Sequence, residues 1–170
     1  MKNKKSLIIV LIISGVLTAC IAIAMNLFLI PEIEKAAGGL KCFDMRFGYS
    51  YEAAREFLNM LTNEGKHIYA DIQLPLDFFY PVAYGVFFVL LTYVLTQKAT
   101  PLFILPGLLV IADYTENICI AVMLKSSQLS EILVRISSFA TVFKTVLMYG
   151  CFLMMILLLI RRLILKKKDS

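Results

Sequence analysis

The sequence predicts an all-α, polytopic membrane protein, a bundle of four transmembrane helices with a short extracytoplasmic amphipathic helix. Hydrophobic residues make up 60% of its 170 residues, well above their share in soluble globular domains. They are gathered in four stretches, each long enough at about 1.5 Å per residue to cross a hydrocarbon core of about 30 Å. Basic residues are concentrated beside these stretches, at the two ends of the chain. We predict one membrane domain over 1–170, with spans at 6–30, 76–96, 102–124 and 137–160 and an extracytoplasmic segment at 31–75.

The first span follows a lysine-rich start and is apolar from Ser6 to Ile30. A cleaved signal is the alternative, because the residues 17–20, LTAC, resemble the lipobox of bacterial lipoproteins, in which the cysteine is lipidated. The apolar run continues well past Cys20, which is typical of an uncleaved anchor. We therefore expect an uncleaved transmembrane helix.

A short amphipathic helix is predicted from Ser50 to Leu61, within the polar segment. Ser50 suits an N-cap, Glu52 suits a first turn, and Gly65 is a reasonable stop signal. The apolar side chains of this stretch share one face. We expect a helix that packs at the membrane interface over the mouth of the bundle.

The second span carries polar residues on one side. Asp77, Tyr80 and Tyr84 recur at helical spacing. Pro81 lacks a backbone donor, so the helix should kink unless neighbouring groups satisfy the carbonyl that Pro81 frees. The turn 97–101 is short, so the second and third spans should be antiparallel neighbours.

The third span carries Asp113, Glu116 and Asn117 near its middle. Residues three or four positions apart share a helix face, so these side chains point the same way. An acid at mid-membrane costs about 2.5–3.5 kcal/mol on insertion scales. Only a buried polar environment offsets that cost, and the sequence therefore predicts a polar site inside the bundle.

The fourth span places Lys144 on one face with Thr141, and this polar stripe should turn inward. Lys144 is the expected counter-charge for Glu116 or Asp113, because an unpaired charge in the membrane would instead be neutralised by a change of protonation. The prediction is an ion pair between the third and fourth spans.

Both termini are predicted to be cytoplasmic, because the basic residues next to the spans are concentrated in the two terminal tails. The long polar segment would then face outward. Counted from the outer ends of their helices, Glu116, Lys144 and Tyr84 are expected at one depth. Asp77 is expected at the mouth, and Asp113 at the floor, of a polar pocket in the outer half of the bundle.

The sequence lacks the motifs that are typical of several classes of enzyme and metal-binding protein. The four cysteines form no C-x-x-C pair, and the chain has one histidine, which argues against a thioredoxin-like motif, a zinc ribbon or a histidine-rich metal cluster. There is no G-x-S-x-G, H-E-x-x-H or P-loop. Basic residues beside apolar segments favour anionic lipid over nucleic acid. We expect no cofactor, no metal site and no nucleic-acid partner, and leave open whether the protein is an enzyme.

The polar residues of the last three spans resemble a pattern in a group of small prokaryotic membrane proteins of unknown function. The matching residues are Asp77, Pro81 and Tyr84 on the second span, Asp113, Glu116 and Asn117 on the third, and Lys144 on the fourth. In architecture the chain is also similar to the emopamil-binding, sterol-isomerase-like four-helix proteins, whose intramembrane acids face a lipid-binding cavity. The resemblance implies a prokaryotic cell membrane as the location and membrane lipid as a partner.

Three functions stay open. The first is a pocket that binds a lipid or small amphipathic molecule and, in an enzyme, modifies it by acid–base chemistry. The second is assembly with another membrane protein or a second copy of the chain, and the third is proton- or cation-coupled transport by an oligomer. The candidate catalytic residues are Asp113, Glu116 and Lys144, and the candidate ligand-binding residues are Asp77, Tyr80, Tyr84, Asn117 and Thr141.

Overall fold

The computed structural model of the chain describes residues 2–168, with side chains from 4 to 165. Every regular element in this part of the chain is helical, and it contains no strand. Four of its helices are long and apolar enough to cross a membrane. The prediction of an all-α fold with four helices long and apolar enough to cross a membrane is therefore confirmed.

Helix α1 is continuous through three segments, Lys2–Ala24, the π-helical turn Met25–Leu29 and Ile30–Ala36. The turn precedes Pro31, and within it the N–H of Ile30 donates to the carbonyl of Met25, five residues earlier. This wider turn carries the helix past a proline that would break a regular α-helix. Helix α1 is therefore longer than the predicted span 6–30.

Helix α2 is Tyr51–Met60. The Ser50 hydroxyl accepts a hydrogen bond of 3.2 Å from the N–H of Ala53, so Ser50 is the N-cap that the sequence predicts. The helix buries Ala54 and Phe57 and leaves its opposite side exposed. It therefore covers one end of the bundle with its apolar face.

Helix α3 is continuous through Asn63–His67, the π-helical turn Ile68–Gln73 and Leu74–Thr96. This turn also precedes a proline, Pro75, and the N–H of Leu74 donates to the carbonyl of Tyr69. The π-helical turns of α1 and α3 contact each other. Helix α3 begins well before the predicted span 76–96, and most of the segment 31–75 is helical.

Gly65 does not end α2, and that prediction is wrong. Helix α2 ends before Leu61, and the Thr62 hydroxyl caps α3 by accepting a hydrogen bond of 3.1 Å from the N–H of Gly65. An added Cβ on Gly65 would lie 2.6 Å from the Cβ of Ala36. The glycine therefore permits close approach of α1 and α3.

Helix α4 is Ile104–Lys125, preceded by a 3₁₀ turn at Pro101–Phe103, and helix α5 is Glu131–Lys168. Helix α5 extends beyond the predicted span 137–160 at both ends. Helices α3 and α4 pack against each other, as the short turn between them predicts. An added Cβ on Gly85 would lie 2.7 Å from Cγ2 of Val110, so a glycine again brings two helices together.

Two apolar clusters fill the interior at different heights. The cluster on the side of the loop 37–50 includes Phe43, Phe57, Tyr69, Ile120 and Met123. The other includes Phe88, Leu109, Leu147 and Cys151. The polar residues of α4 lie between Leu109 and Ile120 along the helix, so a polar layer separates the two clusters.

Large apolar side chains also cover the outside of the bundle. Leu27, Phe79 and Phe139 are 66%, 69% and 70% exposed. A continuous apolar exterior would be a liability in water, whereas in a bilayer it faces acyl chains. The exterior therefore agrees with a membrane-spanning bundle.

Candidate functional site

Lys144 on α5 lies between two carboxylates of α4. Its Nζ is 3.3 Å from Oδ1 of Asp113 and forms a second ion pair with Oε2 of Glu116. The two carboxylate side chains are 2% and 0% exposed, and the lysine side chain is 15% exposed. The predicted ion pair is present, and both acids share the lysine.

Hydroxyl groups donate hydrogen bonds to the remaining oxygens of these two carboxylates. Tyr84 on α3 donates a hydrogen bond of 2.7 Å to Oδ2 of Asp113. Thr141 on α5 donates one of 2.5 Å to Oε1 of Glu116. A connected series of polar groups therefore runs from Tyr84 through Asp113, Lys144 and Glu116 to Thr141 and links three helices.

Asp77 and Asn117 join the site on its α3 side. The Asn117 side-chain amide donates a hydrogen bond of 2.9 Å to the backbone carbonyl of Asp77. The Gln73 amide lies 3.5 Å from Oδ2 of Asp77. All three side chains are nearly fully buried, at 0–2% exposure.

Tyr80 contributes through its ring. Its ring centroid lies 5.0 Å from that of Tyr84, with the two planes nearly perpendicular. Tyr80 is half-buried, and this edge-on contact supports the position of Tyr84 against Asp113. Tyr80 therefore borders the site.

Two residues of the loop 37–50, Asp44 and Tyr49, reach the polar layer, and neither is among the residues predicted from the sequence. The Tyr49 hydroxyl donates a hydrogen bond of 2.7 Å to the Ser137 hydroxyl, and the Tyr49 N–H donates one of 2.7 Å to the Ser138 hydroxyl. The Tyr69 hydroxyl on α3 donates one of 2.6 Å to Oδ2 of Asp44. The loop therefore covers one end of the polar layer.

The chemistry of the loop follows from its burial. Burial raises the pKa of the Cys42 thiol, and the charges of Asp44 and Glu34 raise it further. Burial also raises the pKa of the Tyr49 phenol, although the hydrogen bond with Ser137 opposes the shift. Both groups are therefore neutral at physiological pH.

Three buried oxygen atoms have no hydrogen-bond donor among the described residues. They are Oδ1 of Asp44, Oε1 of Gln73 and Oδ1 of Asn117. The amide oxygens of Gln73 and Asn117 are acceptors only, and the oxygen of an ionised carboxylate is too. A buried acceptor without a partner is costly, so this part of the site is suited to a group that brings donors.

The structure brings all eight predicted site residues into one layer. Asp77, Asp113, Glu116 and Asn117 are at most 2% exposed, so Asp77, predicted at the mouth of a pocket, is as buried as the acids of α4. In the part of the chain that the structure describes, no group of three or more His, Cys, Asp or Glu residues is arranged to hold a metal ion. The arrangement can bind and orient polar groups and hold protons.

Comparison with protein-family models, with curated proteins and with solved structures finds no match for this chain. The resemblance carried by Asp77, Pro81 and Tyr84 and by the acids of α4 therefore stays a prediction.

Proposed function

We propose that the polar layer binds the head group of a membrane lipid or another small amphipathic molecule. The apolar part of this ligand would lie against the lipid-facing helices, and the loop 37–50 would cover the head group. Both termini would be cytoplasmic, in a prokaryotic cell membrane, with the loop on the extracytoplasmic side. The basic termini support this orientation.

The observation that carries the proposal is the pair of carboxylates that share Lys144 between apolar helices. Apolar side chains of similar volume often stabilise a fold as well as a buried ion pair does. Ionisable groups inside a membrane are costly and typically functional. Asp77 adds a further buried carboxyl group, so the layer contains more ionisable groups than helix packing requires.

Each residue has a role in this proposal. Asp113 or Glu116 is the proton-active group, and Lys144 is its charge partner. Tyr84 orients the ligand through the hydroxyl that it shares with Asp113, and Asn117 does so through its free Oδ1. The remaining candidate residues around the head group are Asp77, Tyr80 and Thr141.

The unpartnered oxygens indicate the kind of head group. Asp44, Gln73 and Asn117 present acceptors, so a head group with O–H or N–H donors would pair with them. A head group with acceptors alone would leave these oxygens without hydrogen bonds, which costs about 1–3 kcal/mol of free energy for each oxygen. We therefore expect a ligand whose head group donates hydrogen bonds.

Extraction of bound lipid tests the proposal. The protein is purified in mild detergent from its native membrane, and its retained amphiphiles are identified by mass spectrometry. We expect one amphiphile to be retained by the natural protein, to be lost in Asp113→Asn and Glu116→Gln, and to be kept in Glu52→Gln, whose side chain lies on the exposed side of α2. Equal retention in all variants would refute the assignment.

Proton-coupled transport is a second candidate. The continuous series from Tyr84 to Thr141 supports it, because each member exchanges a hydrogen bond or an ion pair with the next. Four spans without an internal repeat make a poor monomeric transporter, so this function requires an oligomer. Proteoliposomes with an internal pH dye test it, since Glu116→Gln should abolish any proton flux that the natural protein supports.

Assembly with another membrane protein has weaker support. Both acids of α4 pair with Lys144 of the same chain, so a basic residue of a partner is not needed to neutralise them. Co-purification of a stoichiometric protein without a bound amphiphile would favour assembly over ligand binding.

A further inference from the structure

We propose that an anionic phospholipid binds in a groove between α1 and α3, at the end of the bundle that carries both termini. This groove encloses about 700 Å³, within the range of about 300–1,000 Å³ that is usual for ligand pockets. It lies at the opposite end from the loop 37–50. The inference is therefore independent of the polar layer.

The groove has an apolar wall and a cationic rim. Ile8 and Val10 of α1 and Leu90 of α3 form part of the wall, and Lys4 and Arg162 stand at the rim. The wall of α1 from Lys4 to Val10 extends about 9 Å along the helix. A phosphate at the rim would therefore place the start of an acyl chain against the wall.

Charge segregation along the chain supports an anionic occupant. No Asp or Glu occurs in residues 4–31, 78–112 or 132–165, and these ranges include the described parts of the long helices at this end of the bundle. The described helix segments around the rim cations therefore contain no acidic residue. Anionic lipids of the cytoplasmic leaflet supply the missing negative charge in the predicted orientation.

Arg162 is already held in place for this contact. Its Nη1 donates a hydrogen bond of 2.6 Å to the carbonyl of Val94, in the last turn of α3. A guanidinium carries five N–H donors, so the others are available for a phosphate, which arginine binds with good geometry. The Gln97 side chain also lines the groove.

A lipid in the groove would also stabilise the packing of α1 against the other helices. Only 11% of the residues in the most apolar part of α1 are buried inside the structure, against 44% for α4. Among the long helices, α1 packs principally on α3. An anionic lipid that contacts Lys4 of α1 and Arg162 of α5 would join three helices at this end.

Retention of matched lipids tests the inference. The full chain is placed in nanodiscs that contain equal amounts of phosphatidylglycerol and phosphatidylcholine with identical acyl chains, and the lipids retained on release are counted by native mass spectrometry. We expect a preference for phosphatidylglycerol of about 25-fold, or about fivefold for each rim cation, the factor that corresponds to about 1 kcal/mol for a Lys or Arg at an anionic surface. Equal retention of both lipids, or retention of neither, would overturn the inference.

Variants separate the groove from general surface charge. Arg162→Gln and Lys4→Gln should each lower the preference about fivefold, whereas Arg161→Gln, a neighbouring cation that does not line the groove, should leave it unchanged. Val10→Trp fills the apolar wall without altering charge and should abolish retention. An equal loss in Arg161→Gln and Arg162→Gln would show a diffuse surface effect and overturn the inference.

Arg162 also caps the end of α3, and a stability measurement distinguishes the two roles. If Arg162 acts only as a cap, Arg162→Gln will lower the unfolding temperature equally in pure phosphatidylcholine and in phosphatidylglycerol, and the inference fails. If it binds lipid, the loss will be larger in phosphatidylglycerol. A negative result here leaves the proposed ligand site of the polar layer untouched, because the two sites share no residue.

Discussion

The side-chain amide of Asn117 donates a hydrogen bond of 2.9 Å to the backbone carbonyl of Asp77. This is the carbonyl that Pro81, four residues later and without an N–H, cannot satisfy. Inside a bilayer no water replaces the missing donor. Asn117 of α4 therefore completes the hydrogen bonding of α3, in addition to its proposed role in ligand binding.

Asn117→Leu should destabilise the protein by about 1–3 kcal/mol, because the buried backbone carbonyl of Asp77 then has no hydrogen-bond donor. The cost should shrink in a Pro81→Ala background, since alanine restores the helical donor. Equilibrium unfolding in mixed micelles of the four members of this double-mutant cycle measures the difference. An equal cost of Asn117→Leu in both backgrounds would contradict the explanation.

Lys144→Met should destabilise the protein by about 3–5 kcal/mol, because it leaves the Asp113 and Glu116 carboxylates buried without a counter-charge. Adding Asp113→Asn and Glu116→Gln to this variant should recover most of the loss, since the acids are then neutral. Lys125→Met, at the exposed end of α4, serves as the control. A Lys144→Met protein as stable as the natural one would mean that both acids are protonated in the fold.

The convergence of Asp113, Glu116 and Lys144 could be predicted because two strong constraints act together. Helical periodicity puts the acids of α4 on one face, and the cost of a charge in lipid forces that face inward toward an opposite charge. Tyr84 follows from the same reasoning on α3. These residues lie within regular helices, where spacing in sequence determines position in space.

The contributions of Asp44, Tyr49 and Gln73 could not be predicted in this way. Asp44 lies in the short 3₁₀ turn Phe43–Met45 of the loop 37–50. Tyr49 of the same loop meets Ser137 across a sequence separation of 88 residues, which no periodicity encodes. Gln73 lies in a π-helical turn, where the usual spacing does not hold. The predicted extracytoplasmic segment 31–75 begins and ends at a proline, whereas π-helical turns carry the helices past Pro31 and Pro75.

Gly65→Ala should destabilise the protein by about 1–3 kcal/mol, because overpacking forces well-packed neighbours apart. The new Cβ would lie 2.6 Å from the Cβ of Ala36 and 2.7 Å from Cδ1 of Leu61. Gly107→Ala is the matched control, since an added Cβ there meets nothing within 4 Å. Unfolding in mixed micelles compares the two variants, and equal stability of both would contradict the close packing of α1 on α3.

The stability of the protein should fall at alkaline pH because Cys42 is buried. The pKa of its thiol is raised above its ordinary value of 9.0, so the folded state retains the proton while the unfolded state releases it. The stabilisation is therefore complete below pH 9.0 and is lost as the pH rises above it. At about pH 10, one unit higher, the loss should be about 1.4 kcal/mol.

Unfolding of the natural protein and of Cys42→Ala at about pH 8 and about pH 10 measures this contribution. Over this interval Cys42→Ala should lose about 1.4 kcal/mol less than the natural protein. Each variant is compared with itself at the two pH values, so a constant effect of the smaller side chain cancels. If Cys42→Ala lost as much stability as the natural protein, the thiol would titrate in the folded state as it does in the unfolded chain, and the loop would not exclude water from it.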